Sequence, residues 1–216
     1  MSKHKFIPNI CKTYPKITDD EHLSIQPSNS KLGKIANISL VPQRDCPNHK
    51  ECFAKCYANK FYKMYPSTNL AWDKNSRIFR QDKLRAREDL INFLVNYKGD
   101  LFRIHVAGDF ITNEQFWIWT MIASDFPNIT FKAFTKNYEL INRNKHFIPA
   151  NLKIRFSVWS TMETLPTGMP LAFVQDGNET RQGNAFNCPA VKNHKIKCDT
   201  CRHCWDKDGD VIFDIH

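Results

Sequence analysis

The chain has 216 residues, 42% hydrophobic and 25% charged, a composition that suits a globular domain able to bury roughly two-thirds of its unfolded surface. No run approaches the ~18 apolar residues that a membrane helix needs. The basic start MSKHKFIPNICK also lacks the apolar core of a secretory signal, so a membrane role is excluded and the cytoplasm is the expected compartment.

In chain order, residues 1–33 are rich in Pro, Ser, Asn and Lys with little apolar period, which predicts an irregular arm. Cys11, in that arm, reads as a small buried apolar residue or a free thiol. KIANISLV, 34 to 41, reads as a short buried strand feeding the cysteine-bearing segment 46–56. A helix is expected from near Glu51 to about Met64, where Tyr65-Pro66-Ser67 breaks it. Asp73 is a candidate cap for a second helix reaching about Asn96, with Gly99 ending it. LFRIHVAG, 101 to 108, alternates as a strand, and Thr112-Asn113-Glu114 opens a helix through Trp117, Trp119 and Ile122. ITFKAF (129–134), LKIRFSVW (152–159) and LAFV (171–174) read as strands, with a short helix near 138–146 and one more strand at 211–215. Strand alternating with helix favours parallel strands joined by right-handed crossovers. Six strands are too few for a closed eight-fold barrel. The expected architecture is a single α/β domain over 1–216, a partial or TIM-like (β/α) barrel.

Eight cysteines in a cytosolic chain point to metal ligation, because reducing compartments disfavour structural disulfides. The segment 183–206 is a cysteine-rich knuckle in which Cys188, followed by Pro189, precedes Cys198, Cys201 and Cys204 in C-x9-C-x2-C-x2-C spacing. Three thiolates from so short a stretch can converge on one centre, and the distant fourth completes it. A [4Fe–4S] cluster is the first reading and a Cys₄ zinc site the alternative. Cys46, Cys52 and Cys56 form a C-x5-C-x3-C set. On the expected helix Cys52 and Cys56 stand one turn apart, with Cys46 approaching from the loop. Three thiolates leave one metal position open, for which His49 is a weak candidate; zinc or a structural role is the plainer reading. One or two clusters are therefore expected, since loops from one end of a barrel can also share a centre.

Side chains at the carboxyl ends of barrel strands are the further candidates: Gln43, Arg44, Asp109, Thr135, Lys136, Ser157, Ser160 and Asp176. Asp109 leads them as a catalytic candidate, with a turn or cap role as its plain alternative. His105 reads as a satisfied core histidine before it reads as a proton carrier. Trp117, Trp119 and Trp159 read as core before they read as a base-stacking surface. The formal charge of +9 would suit nucleic acid, yet a four-thiolate centre carries a net charge of roughly −2 and weakens that argument. The cations Lys74, Arg77, Arg80, Lys83, Arg85 and Arg87 are spread around their helix, which suits a solvated face better than a phosphate track. Walker A, G-x-G-x-x-G, G-x-S-x-G and H-E-x-x-H motifs are missing, against the common nucleotide-binding and hydrolase classes.

The segments CPNHKECFAKCYA, FRIHVAGDF, FSVWST and CDTCRHCW together resemble the phage-encoded gene product 88 family, small iron–sulfur proteins of radical-SAM-like TIM-barrel character. That resemblance implies a cluster loop at Cys46, Cys52 and Cys56. It also implies a turn at Gly108 and Asp109 that would contact the amino group of bound S-adenosylmethionine, and residence in a host cytoplasm. Radical SAM loops read C-x3-C-x2-C, and this loop departs from that pattern. Three functions follow as expectations: an enzyme of unknown substrate, a cluster carrier dependent on an electron donor, or a zinc module binding nucleic acid or a host protein.

Overall fold

Short apolar runs alternate with helices along the chain, and the structure, a computed structural model, turns them into one parallel sheet. It describes residues 14–48, 52–159, 162–175 and 184–214. The strands are β1 (Ala36–Asn37), β2 (Leu101–Arg103), β3 (Thr130–Thr135), β4 (Leu152–Trp159), β5 (Leu171–Gln175), β6 (Phe186–Asn187) and β7 (Val211–Asp214). Their order is β1-β2-β3-β4-β5-β7-β6, every neighbouring pair is parallel, and the sheet is not closed. The α/β class and the parallel sheet follow the sequence expectation, while β6 carried no signal of its own.

The helices are α1 (Tyr57–Met64), α2 (Pro66–Gln81), α3 (Lys83–Asn96), α4 (Asn113–Asp125) and α5 (Tyr138–Asn144), then the one-turn helices α6 (Pro189–Lys192), α7 (Cys198–Cys201) and α8 (His203–Asp206). Pro66 opens α2 at its first turn, where a missing N–H costs nothing. The single helix expected from Asp73 is two. Asp82 leaves helical geometry and its carboxylate accepts from the Arg85 amide as the cap of α3, while Asp73 lies inside α2 and pairs with Arg44 and Arg77. The strand expected over 101–108 stops at Arg103, because His105 and Gly108 both adopt positive φ and cannot continue a ladder.

Parallel pairing puts register partners on the same face. Phe102, Phe131, Ile154, Phe156, Phe173 and Ile212 point one way and form the main core with α2, α3, α4 and α5, with Trp119 of α4 at its centre. The opposite face carries Leu101, Arg103, Lys132, Lys153 and Arg155, and the cysteine-rich segments lie against it. The arm is irregular over its described part. It is fastened to α2 through the Glu21–Arg77 ion pair and through Ser24, whose amide donates to Asn75 Oδ1 at 2.7 Å, and to α3 through the Leu23 amide, which donates to Asp89 Oδ2 at 2.8 Å.

Candidate metal centre

The N-terminal cysteine set begins in the loop that follows β1. Gln43 takes φ +65°, and Asp45, fully buried, receives Arg44 and Arg80. Burial, with the Asp109 carboxylate beside it, pushes the Cys46 thiol up to about 12. Residues 49–51 lie outside the described residues, so His49 and the expected helix start at Glu51 do too. From Cys52 onward the prediction is corrected. Cys52–Lys55 is a turn, and α1 starts only at Tyr57 with Cys56 as its cap, so the two cysteines do not share a helical face. All three thiols nonetheless reach Tyr57 electrostatically, and its hydroxyl donates to the Val106 carbonyl at 2.7 Å.

Of the side chains expected at the strand ends, Asp109, Thr135, Lys136 and Ser157 are joined by hydrogen bonds, while Gln43 and Arg44 take other partners. Asp109 Oδ1 accepts from the Thr135 hydroxyl at 2.6 Å and the Phe110 amide at 2.7 Å, while Oδ2 accepts from the Lys136 amide at 2.8 Å. Lys136 Nζ in turn donates to Ser157 Oγ at 3.1 Å. Asp109 is thereby a tie between the ends of β2 and β3, with both carboxylate oxygens engaged. Gly108 has φ +81°, and a Cβ there would lie 2.6 Å from Leu40 Cβ, so the turn requires glycine. Gln43 donates to the Phe53 carbonyl, and Arg44 lies over the Tyr14 ring. Ser160, Asp176 and Cys11 fall outside the described residues.

His105 is buried, and burial with the nearby Arg103 charge lowers its pKa to about 3, so the ring is neutral. Its Nε2 meets Gln115 at 3.2 Å and its Nδ1 has no partner among the described residues. It packs edge-on against Phe79, Phe110 and Trp119, as a core histidine does. Trp119 is fully buried and Trp159 nearly so, which leaves neither ring for stacking bases.

The C-terminal knuckle is docked by its own backbone. Cys198 and Asp199 amides donate to the Lys31 and Leu32 carbonyls, and the Asp199 carboxylate accepts from the Lys34 amide at 2.8 Å. Gly33, at φ +74°, leaves the room that Asp199 occupies. Arg202 takes a left-handed conformation between α7 and α8, which turns the chain between Cys201 and Cys204, and it bridges Asp100 at 2.7 Å. Trp205 is buried with Leu32, Ile35 and Leu101, and Cys198 and Cys204 pack on that cluster. Arg155 clamps the exit: its guanidinium donates to the carbonyls of Gly209, Cys204 and Lys207 at 2.7, 2.7 and 2.6 Å.

Cys188, the cap of α6, joins the set from the far side of the knuckle. Cys188, Cys198 and Cys204 lie within electrostatic reach of one another, and burial pushes the Cys198 thiol up to about 11 and Cys188 upward. The seven described cysteines are all unbridged and half-buried. By chemistry alone they are soft ligands of the kind a thiolate-bound group takes. Among the described residues, no three His, Cys, Asp or Glu side chains surround a single-ion position.

The sequence reading missed the basic sheet face opposite both sets. Arg103 of β2 pairs in register with Lys132 of β3, and Arg155 lies on the same face of β4. Lys132 and Arg155 are each 1% exposed. A cation at alternate positions of strands that a parallel sheet should bury on both faces was the available signal. The arginines of α2 and α3 are committed elsewhere: Arg77 to Glu21 and Asp73, Arg80 to Asp45, Arg85 to Asp82, Arg87 to Asp125. They do not form an open phosphate track.

Fold and site define a class, an open parallel α/β protein with two cysteine sets against one basic sheet face. A family model described as Gene product 88 matches residues 12–207, and the chain belongs to that family. It is also similar to the Gene 88 protein of Mycobacterium phage D29, 28% identical over 134 residues, which cover 56% of this chain and 55% of the phage protein. The chain thus spans about half the length of that relative. No solved structure matches, and among the described residues no helix is long and apolar enough to cross a membrane.

Proposed function

We propose that this chain is an iron–sulfur protein, with a [4Fe–4S] centre on Cys188, Cys198, Cys201 and Cys204 and a second candidate centre on Cys46, Cys52 and Cys56. One observation carries the reading: the half-buried thiols of Cys188, Cys198 and Cys204 lie within electrostatic reach of one another, and Cys204 also reaches Arg103 and Lys132, neither of which has an ion pair among the described residues. Such a group supplies one-electron transfer when bound. Cys188 approaches from the cap of α6 and Cys198 and Cys201 from the two ends of α7, while Cys204 follows the left-handed turn at Arg202. Arg103 lies within electrostatic reach of Tyr57, which the N-terminal thiols also reach, and of Cys198 and Cys204.

The function this supports is electron transfer or cluster-based redox chemistry in a reducing cytoplasm, that of the host if the chain is phage-encoded, with a one-electron donor as partner. The open parallel sheet suits part of a TIM-like barrel. A role in S-adenosylmethionine binding gains no support, because Asp109 spends both carboxylate oxygens within the chain. Anaerobic purification with iron, sulfide and zinc analysis tests the reading. Brown protein with near-equal iron and sulfide is expected, with part of the iron lost in Cys198→Ser and a different part in Cys52→Ser. Colourless protein holding zinc and no sulfide would overturn it.

A further inference from the structure

Lys132 is 1% exposed and makes no hydrogen bond or ion pair among the described residues, its Nζ lying 5.1 Å from the Phe134 ring centre. Arg103 shares that ring at 4.2 Å and has a buried Nε without a hydrogen-bond partner among the described residues. Arg155 satisfies its donors on three carbonyls, which accept hydrogen bonds but do not neutralise charge. The carboxylates that reach these groups are Asp208, which is largely exposed and bridged to Lys153 at 3.4 Å, and Asp210, which accepts from the Leu171 amide. The buried Lys132 and Arg155 and the half-buried Arg103 lie on adjacent strands and repel one another, and burial plus that repulsion draws the Lys132 ammonium well below the ordinary lysine range. Cys204 pulls all three the other way. Neutral thiols would leave this arrangement at a net electrostatic cost; a thiolate-bound anion would offset it.

We infer that Arg103, Lys132 and Arg155 are the built-in counter-charge of an anionic centre at Cys188, Cys198, Cys201 and Cys204, and that they set its reduction potential. The inference rests on the proposed iron–sulfur reading. One electron, taken from a one-electron donor, raises the negative charge of the centre by one, and nearby fixed cations favour that more reduced state. Arg103 and Lys132 act through the centre as positioning charges, whereas Arg155 also holds the knuckle.

The test uses anaerobically reconstituted full-length protein, titrated with dithionite and redox mediators and followed by electron paramagnetic resonance. Lys132→Met and Arg103→Gln should each lower the reduced-to-oxidised ratio at the wild-type midpoint about tenfold, equivalent to about 59 mV for a one-electron couple. Lys153→Met, on the same face but paired with Asp208, should change it less than about twofold. Metal-free Lys132→Met should melt at or above the wild-type temperature, the reverse of an ordinary core truncation. Unchanged potentials in a loaded protein would overturn the inference and leave the iron–sulfur reading intact. A wild-type protein that takes up neither iron nor sulfide would overturn both. If Lys132→Met does not fold, the lost stability contradicts the charge argument, and Arg103→Gln still reports the potential.

Discussion

Replacing Arg155 by methionine keeps an unbranched apolar stem and removes the clamp on the segment that carries Cys204. Three carbonyls, those of Cys204, Lys207 and Gly209, lose a charged donor at 2.6 to 2.7 Å. Hydrogen bonds to charged groups contribute about 1.5–3 kcal/mol each, so the gross loss is on the order of 5 kcal/mol. Removing a buried cation beside Lys132 and Arg103 returns part of that, roughly 2 kcal/mol. A net destabilisation of about 3 kcal/mol follows, which lowers the melting temperature by about 6–12 °C for a chain of this size. Thermal unfolding of the metal-free protein measures the total, and hydrogen exchange at amides 203–210 locates it. Arg155→Lys, which can serve one carbonyl, should fall between the two. Melting within about 1 kcal/mol of wild type, or unchanged exchange across 203–210, would refute the clamp.

Acid should weaken the fold through His105: its folded pKa of about 3 lies below the unfolded value near 6.5, so the unfolded chain binds the extra proton in that window. Stability is then lost as pH falls from about 6.5 toward 3, by an amount on the order of 4 kcal/mol, and His105→Asn, which tolerates the positive φ, should flatten that slope in urea titrations. Gly33→Ala forces a Cβ into the Asp199 carboxylate at a positive φ, and about 2 kcal/mol of destabilisation is expected, with faster exchange at the Cys198 and Asp199 amides. Asp109→Asn presents an amide to the Lys136 N–H or to the Thr135 hydroxyl, and should cost about 2–3 kcal/mol in denaturant unfolding. An Asp109→Asn protein as stable as wild type would show that the tie is dispensable.

Periodicity alone carried α4, α5 and most of the strands, and the helical character but not the bounds of α1, α2 and α3, because short apolar runs between amphipathic segments admit few other arrangements. That Cys198, Cys201 and Cys204 share one short stretch of backbone was legible for a similar reason: the spacing is local, and one-turn helices with a left-handed residue between them need only nearby sequence. The Cys52 and Cys56 geometry was not, since a helix start depends on the cap that the neighbouring loop permits, and that start fell at Tyr57. The early end of β2 depended on a backbone turn at His105 and Gly108 that strand alternation cannot announce. Asp109 looked like a catalytic acid in isolation; its surroundings assign its oxygens to Thr135, Phe110 and Lys136.

The sequence by itself determined that this is a mixed α/β chain with two cysteine sets, because ligand spacing and hydrophobic period are properties of short stretches. Only the tertiary structure decided what faces those sets. Arg103, Lys132 and Arg155 lie far apart in the chain and come together because parallel register puts them on one side of adjacent strands. Charge compensation acts through space, and no local pattern in the sequence reports it.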